Sequence, residues 1–386
     1  MKAPCSKFCR VTSILASSLV IASCASSNKQ VALQAPIGIS PSTAATSLAA
    51  AGFNGPLGWR VTSSQEIQVT DNGGSSWQND ILPAGVKPSD LASISRSASG
   101  AVLAASVTTA GFVVYRQDGP GQAWTSQALT PRWPAGFQIS SMPDSILFAS
   151  SPAGVSDIVV EKSIGMTTDL VATFEASGVG GPYVQTMSRS DYAWHSVAFD
   201  SALDGVAVAG PVGSILYSTT DGGKTWNAAQ LPAAVASSHF SPAMLADVAF
   251  EIVAYTTEPS GAEKAVLLHS SDGASFTVQG VPVVVPSQNA PGELTTATFG
   301  SDVWIFADHG VFYTSRSAGG SWAQRTSSSL PNGITAASLL SATNATVVWQ
   351  QESCGASKSN CVASSEVRES SEVRESSDGG VSWTSQ

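Results

Sequence analysis

Thr219-Thr220-Asp221-Gly222-Gly223-Lys224-Thr225-Trp226 is the stretch whose reading decides the fold. It runs hydroxyl, acid, two glycines, a second hydroxyl and an aromatic. Ser376-Ser377-Asp378-Gly379-Gly380-Val381-Ser382-Trp383 repeats it near the C-terminus. Thr70-Asp71-Asn72-Gly73-Gly74-Ser75-Ser76-Trp77 repeats it again, with Asn72 at the acid position. Weaker copies end at Trp124, Phe174, Phe276 and Trp322. Of these, Thr167-Thr168-Asp169 lacks glycine, Ser271-Asp272-Gly273 is one residue short, and the copies before Trp124 and Trp322 have lost the acid. The closing aromatics at 77, 124, 174, 226, 276, 322 and 383 are spaced by 47, 50, 52, 50, 46 and 61 residues. A fixed period in this range implies a solenoid or a propeller.

Apolar, β-prone runs precede the motifs: Ile67-Gln68-Val69, Phe112-Val113-Val114-Tyr115, Ile215-Leu216-Tyr217, Val266-Leu267-Leu268 and Val311-Phe312-Tyr313. Strand, glycine-rich turn and aromatic together describe a β-hairpin. The Asp or Asn can accept backbone N–H bonds across the turn, and glycine supplies positive φ without steric cost. The aromatic then enters the next strand and buries its ring between neighbouring sheets. The motif is therefore a device for stability.

These residues resemble the Asp-box, or bacterial neuraminidase repeat. The resemblance implies a β-propeller whose boxes lie at the blade periphery, away from the functional face. The fullest repeat runs Val197-Ala198-Phe199-Asp200, Gly205-Val206-Ala207-Val208-Ala209-Gly210, Ser214-Ile215-Leu216-Tyr217 and then the box. That layout is similar to the repeat of photosystem II stability/assembly-factor-like propellers, and it covers roughly residues 50–386. The expectation is an all-β chain, a single seven-bladed β-propeller of about 50-residue repeats with four short strands per blade.

Residues 1–23 read as a signal peptide, with Lys2, Lys7 and Arg10 ahead of an apolar stretch from Val11 to Ile21. The ending Ile21-Ala22-Ser23-Cys24 resembles a bacterial lipobox with Cys24 as the lipidated residue. The alternative is an ordinary secretory signal with a chance cysteine. The apolar run is short for a membrane span. Residues 24–50 carry the lipidated Cys and a Ser/Ala/Pro-rich tether, and 51–386 form the propeller. Localisation to a bacterial cell envelope follows, on the outer side of the cytoplasmic membrane or in the outer membrane.

Formal net charge is −10, and loss of three basic residues with the signal makes it −13. That opposes binding to nucleic acid or to anionic lipid by electrostatics, so the only expected membrane contact is the lipid anchor. Cys354 and Cys361 remain as an isolated pair in an exported chain and read as a disulfide. A zinc site would need further Cys or His ligands nearby. SEVRES occurs twice in tandem between Ser365 and Ser376 and accounts for most of the long last step; it reads as a tolerated loop insertion. The chain stops three residues after Trp383, leaving a stub for the last outer strand. Gln30-Val31-Ala32-Leu33-Gln34 alternates as a strand should and is the candidate to close the ring beside Trp383.

If each box turns between third and fourth strands, the loops joining blades share the opposite face. The link after Phe174 holds Arg189, Asp191, Tyr192, Trp194 and His195. The link after Trp124 holds Arg132 and Trp133, and the sixth blade contributes Asp308 and His309. These form the candidate binding face, as against ordinary solvated loops with Trp133 and Trp194 packing on neighbouring blades. A sialidase would need three converging arginines, and the first blade offers only Gly58-Trp59-Arg60-Val61-Thr62. No nucleophile elbow, phosphate loop or metal-ligand cluster is evident, and no cofactor is implied. The expected function is a non-enzymatic binding or assembly scaffold, monomeric, that meets an envelope protein or a glycan. The alternative is a divergent glycan-active hydrolase of sialidase-like build.

Overall fold

The computed structural model describes residues 51–386 apart from 63, 65, 98, 138, 152–155, 166–167, 242–243, 247–248, 258–262, 286–294, 308–309, 318, 331–333, 350–372, 377–383 and 386. The described strands are antiparallel and fall into seven sheets, each built from consecutive strands of the chain. The first sheet is Ala51–Asn54, Leu57–Val61, Ile67–Thr70 and Gln78–Asp80. The second is Ser93–Arg96, Val102–Thr108, Gly111–Gln117 and Thr125–Leu129. The third is Ser145–Ser150, Ser156–Ser163, Asp169–Ala176 and Tyr183–Asp191. The fourth is Trp194–Phe199, Gly205–Ala209, Ile215–Thr219 and Asn227–Ala228.

In the fifth sheet two short pieces, His239–Phe240 and Met244–Ala246, both pair with Ala249–Thr257, followed by Glu263–Ser270 and Thr277–Val285. The sixth is Thr295–Phe299, Asp302–Phe306, Val311–Ser315 and Ala323–Thr326. The last is Ile334–Leu339, Ala345–Trp349, Val373–Ser376 and Thr384–Ser385. The first strand of each sheet touches that of the next, and Ile334–Leu339 touches Ala51–Asn54, so the circuit returns to its start. This is a β-propeller.

The core explains the arrangement. Ile158 and Val160 pack with Leu103 and Phe112 of the second sheet. Val159, between them in sequence, packs with Trp194 and Phe199 of the fourth. Side chains alternate across a strand, so a strand apolar on both faces must lie between two other sheets. Val206 and Val208 with Phe250 and Ile252 repeat the pattern between fourth and fifth sheets. Val253 and Leu267 with Ile305 and Tyr313 repeat it between fifth and sixth.

The repeated turns share one hydrogen-bond scheme. Gly223 N–H donates to Thr219 Oγ1 at 3.0 Å, and Thr219 Oγ1 donates to Asp221 Oδ1 at 2.9 Å. Thr225 N–H reaches the same carboxylate at 2.9 Å and Thr225 Oγ1 at 2.6 Å. In the first sheet Gly74 N–H donates to Thr70 Oγ1 and Ser76 N–H to Asn72 Oδ1, each at 2.9 Å. Asp272 accepts from Ala274 and Ser275 N–H in the fifth. In the sixth, Ser317 takes the place of the acid, its Oγ accepting from Ser321 N–H at 3.1 Å.

Each turn also lies on the preceding sheet. A Cβ on Gly73 would fall 2.4 Å from Leu340, just past the first strand of the last sheet, one on Gly273 3.0 Å from Val206, and one on Gly319 3.2 Å from Leu267. The turns are seams between blades as well as hairpins.

The copy at Asp169 departs from expectation. Asp169 begins the third strand of its sheet, paired with Ser163 and Asp191. The Ser163–Asp169 pair therefore stands at the end of the sheet opposite the repeated turns. Phe174 sits inside the same strand, 2% exposed. The hairpin at the expected place closes between Ser177 N–H and Pro182 O at 3.0 Å, with Gly178 and Gly180 at positive φ and no acid. Without glycine after Asp169 a left-handed φ there is unfavourable, and the chain continues as strand. Trp226 and Phe276 are buried, at 6% and 5% exposure, whereas Trp77, Trp124 and Trp322 are only partly buried. Asp378, Gly380, Trp383, the Cys354–Cys361 pair, Cys24 and the closing-strand candidate near 30–34 lie outside the described residues.

Candidate functional site

The link after Phe174 is largely strand. Arg189 and Asp191 end the outer strand Tyr183–Asp191, and Trp194 and His195 begin the inner strand Trp194–Phe199. Only Tyr192 and Ala193 connect them. The loop expected there shrinks to two residues because the run from Tyr183 to Asp191 pairs with the third strand along its length, apart from a bulge at Thr186. All five candidate residues consequently meet at one seam, between third and fourth sheets, on the rim opposite the repeated turns.

Asp191 is the centre. Its carboxylate accepts from the Arg189 guanidinium, from Tyr217 O–H at 2.9 Å, from Trp194 Nε1–H at 3.2 Å and from Tyr192 N–H at 2.8 Å. Arg189 also donates to the Trp226 carbonyl at 3.0 Å. Its guanidinium lies 4.6 Å from the Tyr217 ring centroid and 5.4 Å from that of Trp194, a cation–π geometry. Burial, and then the bond to Asp191, push the Tyr217 hydroxyl up to about 12. Tyr217, which sequence places only in the apolar run before the turn, thus belongs to the cluster.

Glu161 lies beneath. It accepts the Trp194 backbone N–H, and its carboxyl is pushed up to about 8, chiefly by burial, with the charges of Asp169 and Asp191 adding to that and the Trp194 bond opposing. His195 Nε2–H donates to the Gly210 carbonyl at 2.6 Å. Burial lowers the His195 pKa, while the Gly210 bond and the charge of Asp169 act the other way. Glu161 was legible as an oddity, an acid ending the apolar run Ile158-Val159-Val160 that Asp157 opens, but nothing in sequence joins it to Trp194.

Four donors fill the acceptor sites of Asp191, so its carboxylate holds the cluster together rather than facing outward to a ligand. What the seam offers outward is the Tyr192 ring, 41% exposed, with the partly exposed Asp169 and His195 beside it. That suits contact with another molecule.

Arg132 and Trp133 do not join this group. Arg132 exchanges two backbone bonds of 2.8 Å with the Gln185 side chain. Trp133 packs on the core between second and third sheets and donates Nε1–H to Ser140 O at 3.2 Å. Arg60 stacks on Trp77 at 4.5 Å and donates to Gln68, so Arg60, Arg132 and Arg189 occupy three separate environments. Asp308 and His309 fall outside the described residues. Among the described residues no three His, Cys, Asp or Glu side chains form a metal-binding group, and no helix is long and apolar enough to cross a membrane.

No family model matches the chain, and no curated protein matches it. Similar solved structures include YCF48 bound to a D1 peptide, at 16% identity over 76% of this chain and 87% of that one, TM-score 0.49. YCF48 from Cyanidioschyzon merolae is 14% identical over 80% and 94%, TM-score 0.48. An Aleuria aurantia lectin mutant in complex with alpha-methyl-L-fucoside is 12% identical over 71% and 91%, TM-score 0.40.

Proposed function

We propose that this chain is a seven-bladed Asp-box propeller, carried at a bacterial cell envelope by a lipid on Cys24, that acts as a non-enzymatic binding or assembly scaffold. It meets a protein segment or a glycan through the rim around Tyr192, Asp169 and His195. One observation carries the binding role. At this seam Arg189, Trp194 and Tyr217 all donate to Asp191, while Tyr192, its own N–H tied to the same carboxylate, stays 41% exposed on a two-residue link. An amphipathic aromatic held in place loses little conformational freedom on binding, the condition that favours a contact residue. The shared turn scheme and the circuit of first strands support the blade count. The Ile21-Ala22-Ser23-Cys24 run supports the anchor, and the exported setting supports a Cys354–Cys361 disulfide.

The test compares the mature chain with a Tyr192→Ala, Asp169→Asn double variant in quantitative capture from envelope extracts and on a glycan array. The variant should lose the ligands that wild type retains, with melting temperature nearly unchanged because both side chains are at least partly exposed. Full retention of those ligands would place the binding surface elsewhere.

A further inference from the structure

In the third sheet Asp157 and Glu175 stand directly opposite each other in register, so both carboxylates leave the same face. That face meets the fourth sheet: two residues along the strands, Val159 packs with Trp194 and Phe199, and Thr173 Oγ1 donates to the Gly223 carbonyl at 3.1 Å. Asp157 is 6% exposed, and its Oδ1 has no hydrogen-bond partner among the described residues. A buried carboxylate oxygen without a donor is unfavourable unless something neutralises it. Burial, and then the charge of Glu175, push its carboxyl up to about 8.

The fifth sheet shows how the same position is otherwise filled. There Glu251 stands opposite His269 and bonds its Nδ1 at 2.7 Å. The buried acid thus has a cross-strand group that can carry positive charge. In the third sheet the cross-strand residue is a second acid, and Lys224 approaches only its outer side, 3.8 Å from Glu175 and itself 55% exposed. A further oxygen is at hand. The Ala202 carbonyl and Glu175 Oε1 lie 3.1 and 3.2 Å from where a Cβ on Gly222 would stand, so glycine keeps that space open.

We propose that Asp157 and Glu175 bind a divalent cation of calcium's class at the seam of third and fourth sheets, with the Ala202 carbonyl as an additional donor. Two carboxylates balance its charge, and an all-oxygen, irregular donor set suits calcium better than zinc, which prefers nitrogen and sulfur ligands, or magnesium, which demands near-ideal octahedral geometry.

The experiment uses the full chain stripped with chelator, titrated calorimetrically with calcium chloride and then with magnesium chloride at neutral pH, with melting followed in parallel. Calcium should bind saturably at one site and raise the melting temperature, since a ligand that binds only the folded state stabilises it. Asp157→Asn and Glu175→Gln, both isosteric, should each weaken binding on the order of tenfold or more, whereas Lys224→Ala should tighten it by removing a competing cation. Absence of saturable calcium binding in wild type would overturn the proposal, and so would wild-type affinity in a folded Asp157→Asn chain.

Discussion

Truncating Trp226 to alanine tests the physical role of the repeated turn most directly. The ring is 6% exposed and lies 4.9 Å from Trp194 and 5.9 Å from Phe199, both edge-on. Its Nε1–H donates to the Gly223 carbonyl at 3.0 Å, but that carbonyl also accepts from Thr173, so truncation leaves no orphaned acceptor. The loss is therefore mostly transfer and cavity energy, about 3–5 kcal/mol for a buried Trp. Two aromatic pairs, each worth about 0.5–1.5 kcal/mol beyond area, argue for the upper part of that range, about 4 kcal/mol. At roughly 2 °C per kcal/mol for a domain of this size, the melting temperature should fall by about 8 °C. Scanning calorimetry at a fixed scan rate, with chemical denaturation where unfolding is reversible, measures it. Trp124→Ala, a partly exposed ring in the equivalent place, should cost about half as much. A Trp226→Ala chain melting within about 2 °C of wild type would refute the claim that the ring is clamped between blades.

Gly73→Ala forces a left-handed residue, φ +64°, and places a methyl 2.4 Å from Leu340 across the first and last sheets. It should cost about 2–4 kcal/mol, and Leu340→Ala in the same chain should cut that penalty, a coupling that a double-mutant cycle reads. Glu161→Gln should flatten the dependence of melting temperature on pH. The folded chain holds that proton to about pH 8, while an unfolded carboxyl releases it near about 4.3. Wild type therefore loses this contribution as pH rises between those values, and the variant, which still offers an oxygen to Trp194 N–H, does not. An unchanged slope would show that Glu161 titrates normally. Cys24→Ala should abolish lipid labelling and release the protein from membranes, because anchoring by two or more acyl chains is what holds such a protein; unchanged membrane partitioning would count against the anchor.

Turn chemistry was readable from sequence because it is local. A hydroxyl, an acid or amide and glycines within five residues contain every donor, acceptor and φ requirement of the turn, so Thr219, Asp221 and Gly223 declare a hairpin before any neighbour is known. The period of those turns, with apolar runs between them, implied a solenoid or a propeller, and the resemblance to the Asp-box repeat pointed to the propeller. Locality also set the limits. Thr167-Thr168-Asp169 looked like a copy, but Asp169 lies at the opposite end of its sheet, because strand register, not composition, decides which turn a residue occupies. Ser317 could be recognised as standing in for the acid only once Ser315 and Ser321 were seen bonded around it.

The candidate site divides the same way. Arg189, Asp191, Tyr192, Trp194 and His195 were legible as a cluster of unusual residues close together in sequence. Tyr217, Glu161, and the pairing of Asp157 with Glu175 were not. Each joins its partners across a strand or a sheet seam, where closeness is set by register and by packing around the ring. Sequence determined the turns, the hairpins and the repeat, since those need only neighbouring residues. Tertiary structure alone decided which side chains share a seam, because that follows from how each sheet's face is buried against the next.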